Sequence, residues 1–195
     1  KIYGGFEDNL SGLEGSLEER NWGVNKTILT NPNGTVVTIQ NANEVVLNGF
    51  TIMGGNGYNG GGIKNENGNP RIENCTITGN YASSAGGGIY NTATNQYFKI
   101  FGGSPQIENC TISGNTAGYG GGVYNNNGSP QMTNCIIPGN LADDGYRSNR
   151  NPNHGGGIYN NTRNNGTAVL TLINCTISGN SFTREPKERG LGGGI

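Results

Sequence analysis

Four cysteines, one histidine and a thin supply of carboxylates set the limits on the chemistry of this chain. Cys75, Cys110, Cys135 and Cys175 each stand inside the phrase N-C-x-I-x-G-N, so they fill one slot of a repeat. They lack the CxxC spacing of a zinc site, and His154 is the sole histidine, so neither a metal nor any other cofactor is expected. If successive repeats stack, adjacent Cα atoms fall within disulfide range. Directly stacked side chains have parallel Cβ vectors, however, which is poor bridging geometry. Phe50 occupies the same slot in an earlier, weaker repeat and marks the position as apolar. The expectation is a buried, reduced ladder.

Acid–base chemistry on polysaccharides needs clustered carboxylates. Within the repeated strands only Glu73 and Glu108 occupy equivalent positions, and nothing else converges on them. The chain is therefore expected to be non-catalytic. The alternative is a carbohydrate-active or sugar-binding protein with its site on the loop side. Charge gathers in two loops at one corner, Leu141 to His154 and Ser181 to Leu191. Asp143, Asp144, Arg147, Arg150 and His154 form the candidate ligand loop, able to meet a hard cation or an acidic sugar. The Gly-rich runs lack a following helix or GK[ST], so they are no P-loop. Several Asn-x-Ser/Thr sequons occur; the three in "NCT" (Asn74, Asn109, Asn174) are expected inside the stack and unreachable.

Composition narrows the partners. Glycine supplies 37 of 195 residues, well over twice the usual share of about 7%. Charged residues make up 13% and the net charge is −1, so no basic stripe awaits nucleic acid. No apolar run approaches the length of about 20 residues that a spanning helix needs. The chain starts with Lys, so any targeting segment is expected upstream.

The elements that would position these residues are read from the repeat itself. "GGGIKN", "GGGIYN", "GGGVYN" and "GGGIYN" begin at Gly60, Gly86, Gly120 and Gly155, and "GGGI" returns at Gly192. Each is followed by a G-x-P-x-[IM] linker or its equivalent and then by N-C-x-I-x-G-N. Residues 1–45 read as an N-terminal segment or cap, with short helical character over Leu13 to Trp22. Repeats follow at 46–59, 60–85, 86–119, 120–154 and 155–191, with the start of another at 192–195. The shortest full unit has 26 residues, and extra length gathers at two corners. One such insertion, "NQYFKIF", reads either as a protruding hairpin or as a loop folded over the coil.

Each apolar stretch is short, β-branched and bounded by Gly, Asn, Ser or Pro, which is a strand signature. Two or three strands per unit of about 25 residues suit one coil of an all-β, parallel β-helix of five to six coils. In "RIENCTITG" the alternation slips: Ile72 points in, and so do Cys75 and Ile77. The chain must bend at Asn74, a residue tolerant of left-handed backbone, and Gly49 fills that place in the weaker unit. Stacking then predicts one ladder of Asn74, Asn109, Asn134 and Asn174. It predicts a second of Asn80, Asn115, Asn140 and Asn180.

These phrases resemble the right-handed parallel β-helix repeats of bacterial surface proteins. They are similar to the GGA-[ILV] and FxxN motifs of the polymorphic outer membrane proteins. Gly62, Gly88, Gly122 and Gly157 stand where that pattern has Ala, and Ile77, Ile112, Ile137 and Ile177 where it has Phe. The resemblance covers essentially the whole chain. It implies a right-handed coil in an extracellular or bacterial cell-surface protein used in adhesion or as a rigid scaffold, meeting a host or matrix ligand or glycan. The break inside a fifth GGGI phrase leaves two expectations: a longer solenoid, or copies that stack end to end into filaments.

Overall fold

Asn74, Asn109, Asn134 and Asn174 hold φ between 50° and 53°, and Gly49 holds 81° in the same place. Left-handed backbone costs most L-residues about 1–2 kcal/mol, and Asn and Gly are the usual exceptions. The parity slip is thus a one-residue bend between two short strands. The Asn74, Asn109 and Asn174 side chains leave this bend toward the outside, and the last two are exposed. That corrects the expectation that the three "NCT" asparagines sit inside the stack: a left-handed residue breaks the alternation that would have turned them inward.

The computed structural model describes residues 2–3, 21, 24–96, 99–101, 103–143, 155–162, 169–184 and 188–191. All regular elements among them are strands. Four parallel sheets run the length of the molecule. The first contains Ile2–Tyr3, Val46–Asn48, Arg71–Glu73, Gln106–Glu108, Gln131–Thr133 and Thr171–Ile173. Beyond the bend, the second contains Thr27–Thr30, Phe50–Met53, Thr76–Thr78, Thr111–Ser113, Ile136–Pro138 and Thr176–Ser178. The third contains Asn56–Asn59, Tyr81–Ala85, Thr116–Tyr119, Leu141–Asp143 and Ser181–Arg184. The GGG[IV]xN phrase makes the fourth: Val37–Gln40, Ile63–Glu66, Ile89–Thr92, Val123–Asn126 and Ile158–Asn161. The fold is a parallel β-helix with four strands per full coil, not two or three. The third sheet was illegible because its strands (NGYN, YASSA, TAGY, LAD and SFTR) scatter single Tyr, Thr, Leu or Phe residues among Gly, Ala, Ser and Asn; neighbouring coils impose the extended form on them.

Register superposes like on like. Ile72 faces Ile107, which faces Met132. Ile52 pairs with Ile77, which pairs with Ile112. Ile63 pairs with Ile89, and Ile89 with Val123. These columns and the alanines Ala82, Ala117 and Ala142 are buried, forming one core along the axis. Parallel pairing also begins inside residues 1–45: Thr27–Thr30 pairs with Phe50–Met53, and Val37–Gln40 with Ile63–Glu66. Leu13 to Trp22, the stretch of helical character, lies outside the described residues except for Asn21.

The triple glycines answer two demands. The first glycine takes positive φ in three phrases, 71° at Gly60, 68° at Gly86 and 58° at Gly120. The third is a close approach: a Cβ on Gly88 would lie 2.6 Å from the Gly122 carbonyl oxygen. Insertions leave the ladders undisturbed. Thr94–Gln96 and Lys99–Phe101 form an antiparallel hairpin at one corner, so the "NQYFKIF" insertion is a hairpin. Glu188–Leu191 turns back antiparallel on Ser181–Arg184 and covers that edge of the third sheet.

Candidate functional site: the axial side-chain columns

Stacking in register brings equivalent side chains into columns along the axis. The Asn80 column is buried and saturated. Asn80 Nδ2 donates to Ile52 O of the coil before and to Asn115 Oδ1 of the coil after, each at 3.0 Å. Its backbone N donates to the same Asn115 Oδ1 at 3.0 Å. Asn115 repeats the pattern toward Ile77 O and Asn140, and Asn140 toward Ile112 O and Asn180. Gly55 N donates to Asn80 Oδ1 at 2.9 Å and closes the upper end. Asn115 and Asn140 thereby use both Nδ2 hydrogens and both Oδ1 lone pairs without water.

A second buried column was missed in the sequence. Asn65, Asn91, Asn125 and Asn160 are the last residues of the GGG[IV]xN phrases; the first three are buried and Asn160 is exposed. Each Nδ2 of the first three donates to the next Oδ1, at 2.7, 2.7 and 2.6 Å. Each also donates to a turn carbonyl: Gly68 O, Gly103 O or Gly128 O. The signal was present, since I-Y-N alternates in–out–in and so buries the Asn. The column starts with a defect: Asn65 Oδ1 is buried without a partner. Its neighbour in register on the preceding strand is Ile39, which has no side-chain donor.

The asparagines at the bends are joined on the outside of the stack. Asn74 donates to Asn48 Oδ1 at 3.2 Å, Asn134 to Asn109 at 3.2 Å, and Asn174 to Asn134 at 2.7 Å. On the outward side of the fourth sheet, Tyr90, Tyr124 and Tyr159 stack with centroids 5.3 and 5.4 Å apart. Burial in this stack raises the Tyr90 phenol above its ordinary range.

The cysteines form the column the repeat predicts. All four are free thiols; Cys75, Cys110 and Cys135 are buried, and Cys175 is partly so. Each Sγ lies near two carbonyl oxygens, as Cys110 does with Ile72 O at 3.4 Å and Glu108 O at 3.2 Å. The thiols also touch one another. The Cys110 S–H donates to Cys135 and holds the Cys135 thiol down to about 7. The reciprocal contacts with Cys135 and Cys75, followed by burial, push Cys110 well above the ordinary thiol range.

Glu73 and Glu108 are in register on neighbouring strands of the first sheet. Glu73 is engaged: Arg71 ion-pairs with it, and Asn48 Nδ2 donates to it at 2.7 Å. Glu66 pairs with Lys64 at 2.9 Å. Of the candidate ligand loop, Asp143 ends a strand of the third sheet and accepts from Thr183 Oγ1 at 2.7 Å. Asp144, Arg147, Arg150 and His154 lie outside the described residues.

Among the described residues no helix is long and apolar enough to cross a membrane. Comparison of the chain with family models, with curated proteins and with solved structures finds no match.

Proposed function

We propose that the chain is a non-catalytic, extracellular or cell-surface β-helix, a stiff scaffold whose outward faces adhere to a surface ligand or glycan. The observation that carries this reading is the destination of its polar groups. Interior amides are spent on one another along the axis, and the carboxylate of Glu73 is spent on Arg71 and Asn48. Such an arrangement holds a shape and leaves the Glu73 carboxylate occupied. What faces outward repeats from coil to coil: Thr51, Thr76 and Thr111 in one column of the second sheet, and the tyrosine stack on the fourth. A repeating face suits many weak contacts with a repetitive ligand, where avidity replaces a deep pocket.

The test pairs two assays on one preparation. Incubation with neutral and acidic polysaccharides should release neither new reducing ends nor unsaturated uronates, while a glycan or matrix array should retain the protein. Turnover abolished by Glu108→Gln would replace this reading with the carbohydrate-active one.

A further inference from the structure

The second sheet differs from the other three in what its strands contain. TILT, FTIM, TIT, TIS, IIP and TIS hold no Asp, Glu, Lys or Arg. Each of the other sheets carries ionisable side chains: Arg71, Glu73 and Glu108 on the first, Asp143 on the third, Lys64 and Glu66 on the fourth. Ile52, Ile77, Ile112 and Ile137 are buried, and the residues on either side of each are partly or fully exposed, so the alternation defines an outward face. Register runs from Ile28 through Thr51, Thr76, Thr111 and Ile136 to Thr176. Two residues further along the strands, Thr30, Thr78, Ser113 and Ser178 belong to a second column, with Met53 and Pro138 between them. In such a grid neighbouring strands lie about 4.8 Å apart, and alternate residues of one strand about 6.6 Å apart.

The borders of the grid are low. The bend after it holds Gly54, Gly79, Gly114, Gly139 and Gly179, which project no side chain beside the face. Insertions fall elsewhere. The hairpin of Thr94–Gln96 and Lys99–Phe101 follows the fourth sheet, and residues 144–154 follow the third. The face is long, uncharged, regular and unobstructed.

We infer that the outward face of the second sheet binds the surface of ice, through water ordered over its threonine hydroxyls and methyl groups.

Ice is an uncharged, flat and periodic partner, and the face matches it in each respect. An ionised side chain would have to give up its hydration where it met the lattice, which is costly; this sheet alone has none. A hydroxyl both donates and accepts, as lattice water does. Water beside methyl groups loses orientational freedom, so a threonine orders water by both its groups. Its branched Cβ also restricts χ1 and keeps the array fixed. Ser113 Oγ donates to Thr78 Oγ1 at 3.2 Å, so hydroxyls of adjacent coils already stand at the separation of hydrogen-bonded waters. The two grid spacings lie close to the oxygen repeats of a prism plane of hexagonal ice. Crystalline polysaccharide is flat and periodic too, but sugar rings are gripped by aromatic faces, and the one ring in these strands, Phe50, is buried. The inference rests on the scaffold reading above and not on its glycan; a result with one partner leaves the other standing.

The full chain is tested by following ice recrystallisation in frozen sucrose solution and the growth of single ice crystals. It should keep the crystals small and give them facets. Thr76→Lys with Thr111→Lys changes two partly exposed positions. With its melting temperature unchanged, that variant should need at least ten times more protein for the same effect. Gln106→Lys, at an exposed position of the first sheet, should act as the unaltered chain does. Thr176→Lys, also exposed, takes the place of the double variant if the latter does not fold. Round crystals and unhindered recrystallisation with the unaltered chain would overturn the inference. So would a folded Lys variant of undiminished potency, or a face whose Lys variants lose retention on crystalline cellulose while ice growth is untouched.

Discussion

Asn80 and Asn115 are joined twice, because the backbone N and the Nδ2 of Asn80 both donate to Asn115 Oδ1 at 3.0 Å. One oxygen therefore serves a turn and a side chain of the coil before it. Asn115→Leu removes that oxygen, which strands Asn80 N and one Asn80 Nδ2 hydrogen, and it takes the side-chain donor from Ile77 O; Asn140 Oδ1 keeps the backbone N of residue 115. Each buried, unpaired group costs about 1–3 kcal/mol. Urea denaturation should show a loss of at least about 4 kcal/mol, or no folding. A loss under 1 kcal/mol would mean that water or a rearranged amide replaces the ladder.

The bends should behave differently. Asn134 is exposed, and its φ of 53° is the constraint. Asn134→Gly should be tolerated within about 1 kcal/mol, and Asn134→Val should cost more than Asn134→Ala, itself about 1–2 kcal/mol. If Gly and Val cost the same, the outer ladder and not the backbone decides this position.

The unpaired Asn65 Oδ1 offers a repair. Ile39→Asn places a donor in register beneath it. Burying an amide in an apolar site ordinarily costs several kcal/mol. Here the new rung should recover much of that, so Ile39→Asn should be clearly milder than Ile89→Asn in the same sheet. Equal costs would show that the orphaned oxygen is not reachable from that strand.

Glycines separate strain from collision. Gly79 has φ 62° and no atom within 4 Å of a built Cβ, whereas on Gly88 a Cβ meets the Gly122 carbonyl at 2.6 Å. Gly79→Ala should cost about 1–2 kcal/mol. Gly88→Ala must push two coils apart and should cost clearly more in the same denaturation series.

Four groups give stability a slope with pH. Cys135 ionises near 7 when folded, below its value near 9 when unfolded. The unfolded chain then binds more protons between those values, so stability rises with pH across that window and is lost as pH falls through about 7. Cys75, also lowered, adds in the same direction, whereas Cys110, pushed up, works against them as pH climbs past about 9. Tyr90 works the other way: its phenol is raised, so the folded chain holds the proton longer and stability falls as pH climbs past about 10. Cys135→Ala should flatten the first slope and Tyr90→Phe the second, read from midpoints of denaturation against pH.

Much of this was legible in the sequence because stacking turns a repeated phrase into a repeated contact. The bend at Asn74 followed from one slip of parity, and the Asn80 and cysteine columns followed from shared slots. What escaped had a common cause. The third sheet carries no β-branched run, and the tyrosine stack begins only at Tyr90 because Lys64 holds the equivalent place one coil earlier. The Asn65 column was hidden inside a phrase whose glycines drew the reading toward corners. Arg147, Arg150 and His154 belong to an insertion outside the repeated phrases, so repetition says nothing about their placement.

The unpartnered oxygen at Asn65 has a mechanical consequence. Tension along the axis passes through every boundary between coils in turn, and at each it is shared by rungs acting side by side. Between the strand of Val37–Gln40 and that of Ile63–Glu66, neither buried asparagine column supplies a rung: one begins at Asn65, the other at Asn80 and reaches back only to Ile52 and Gly55. Under an axial pull that boundary should part first. The first coil would come away as a sacrificial link, while the four full coils after it, cross-braced by amides, would hold.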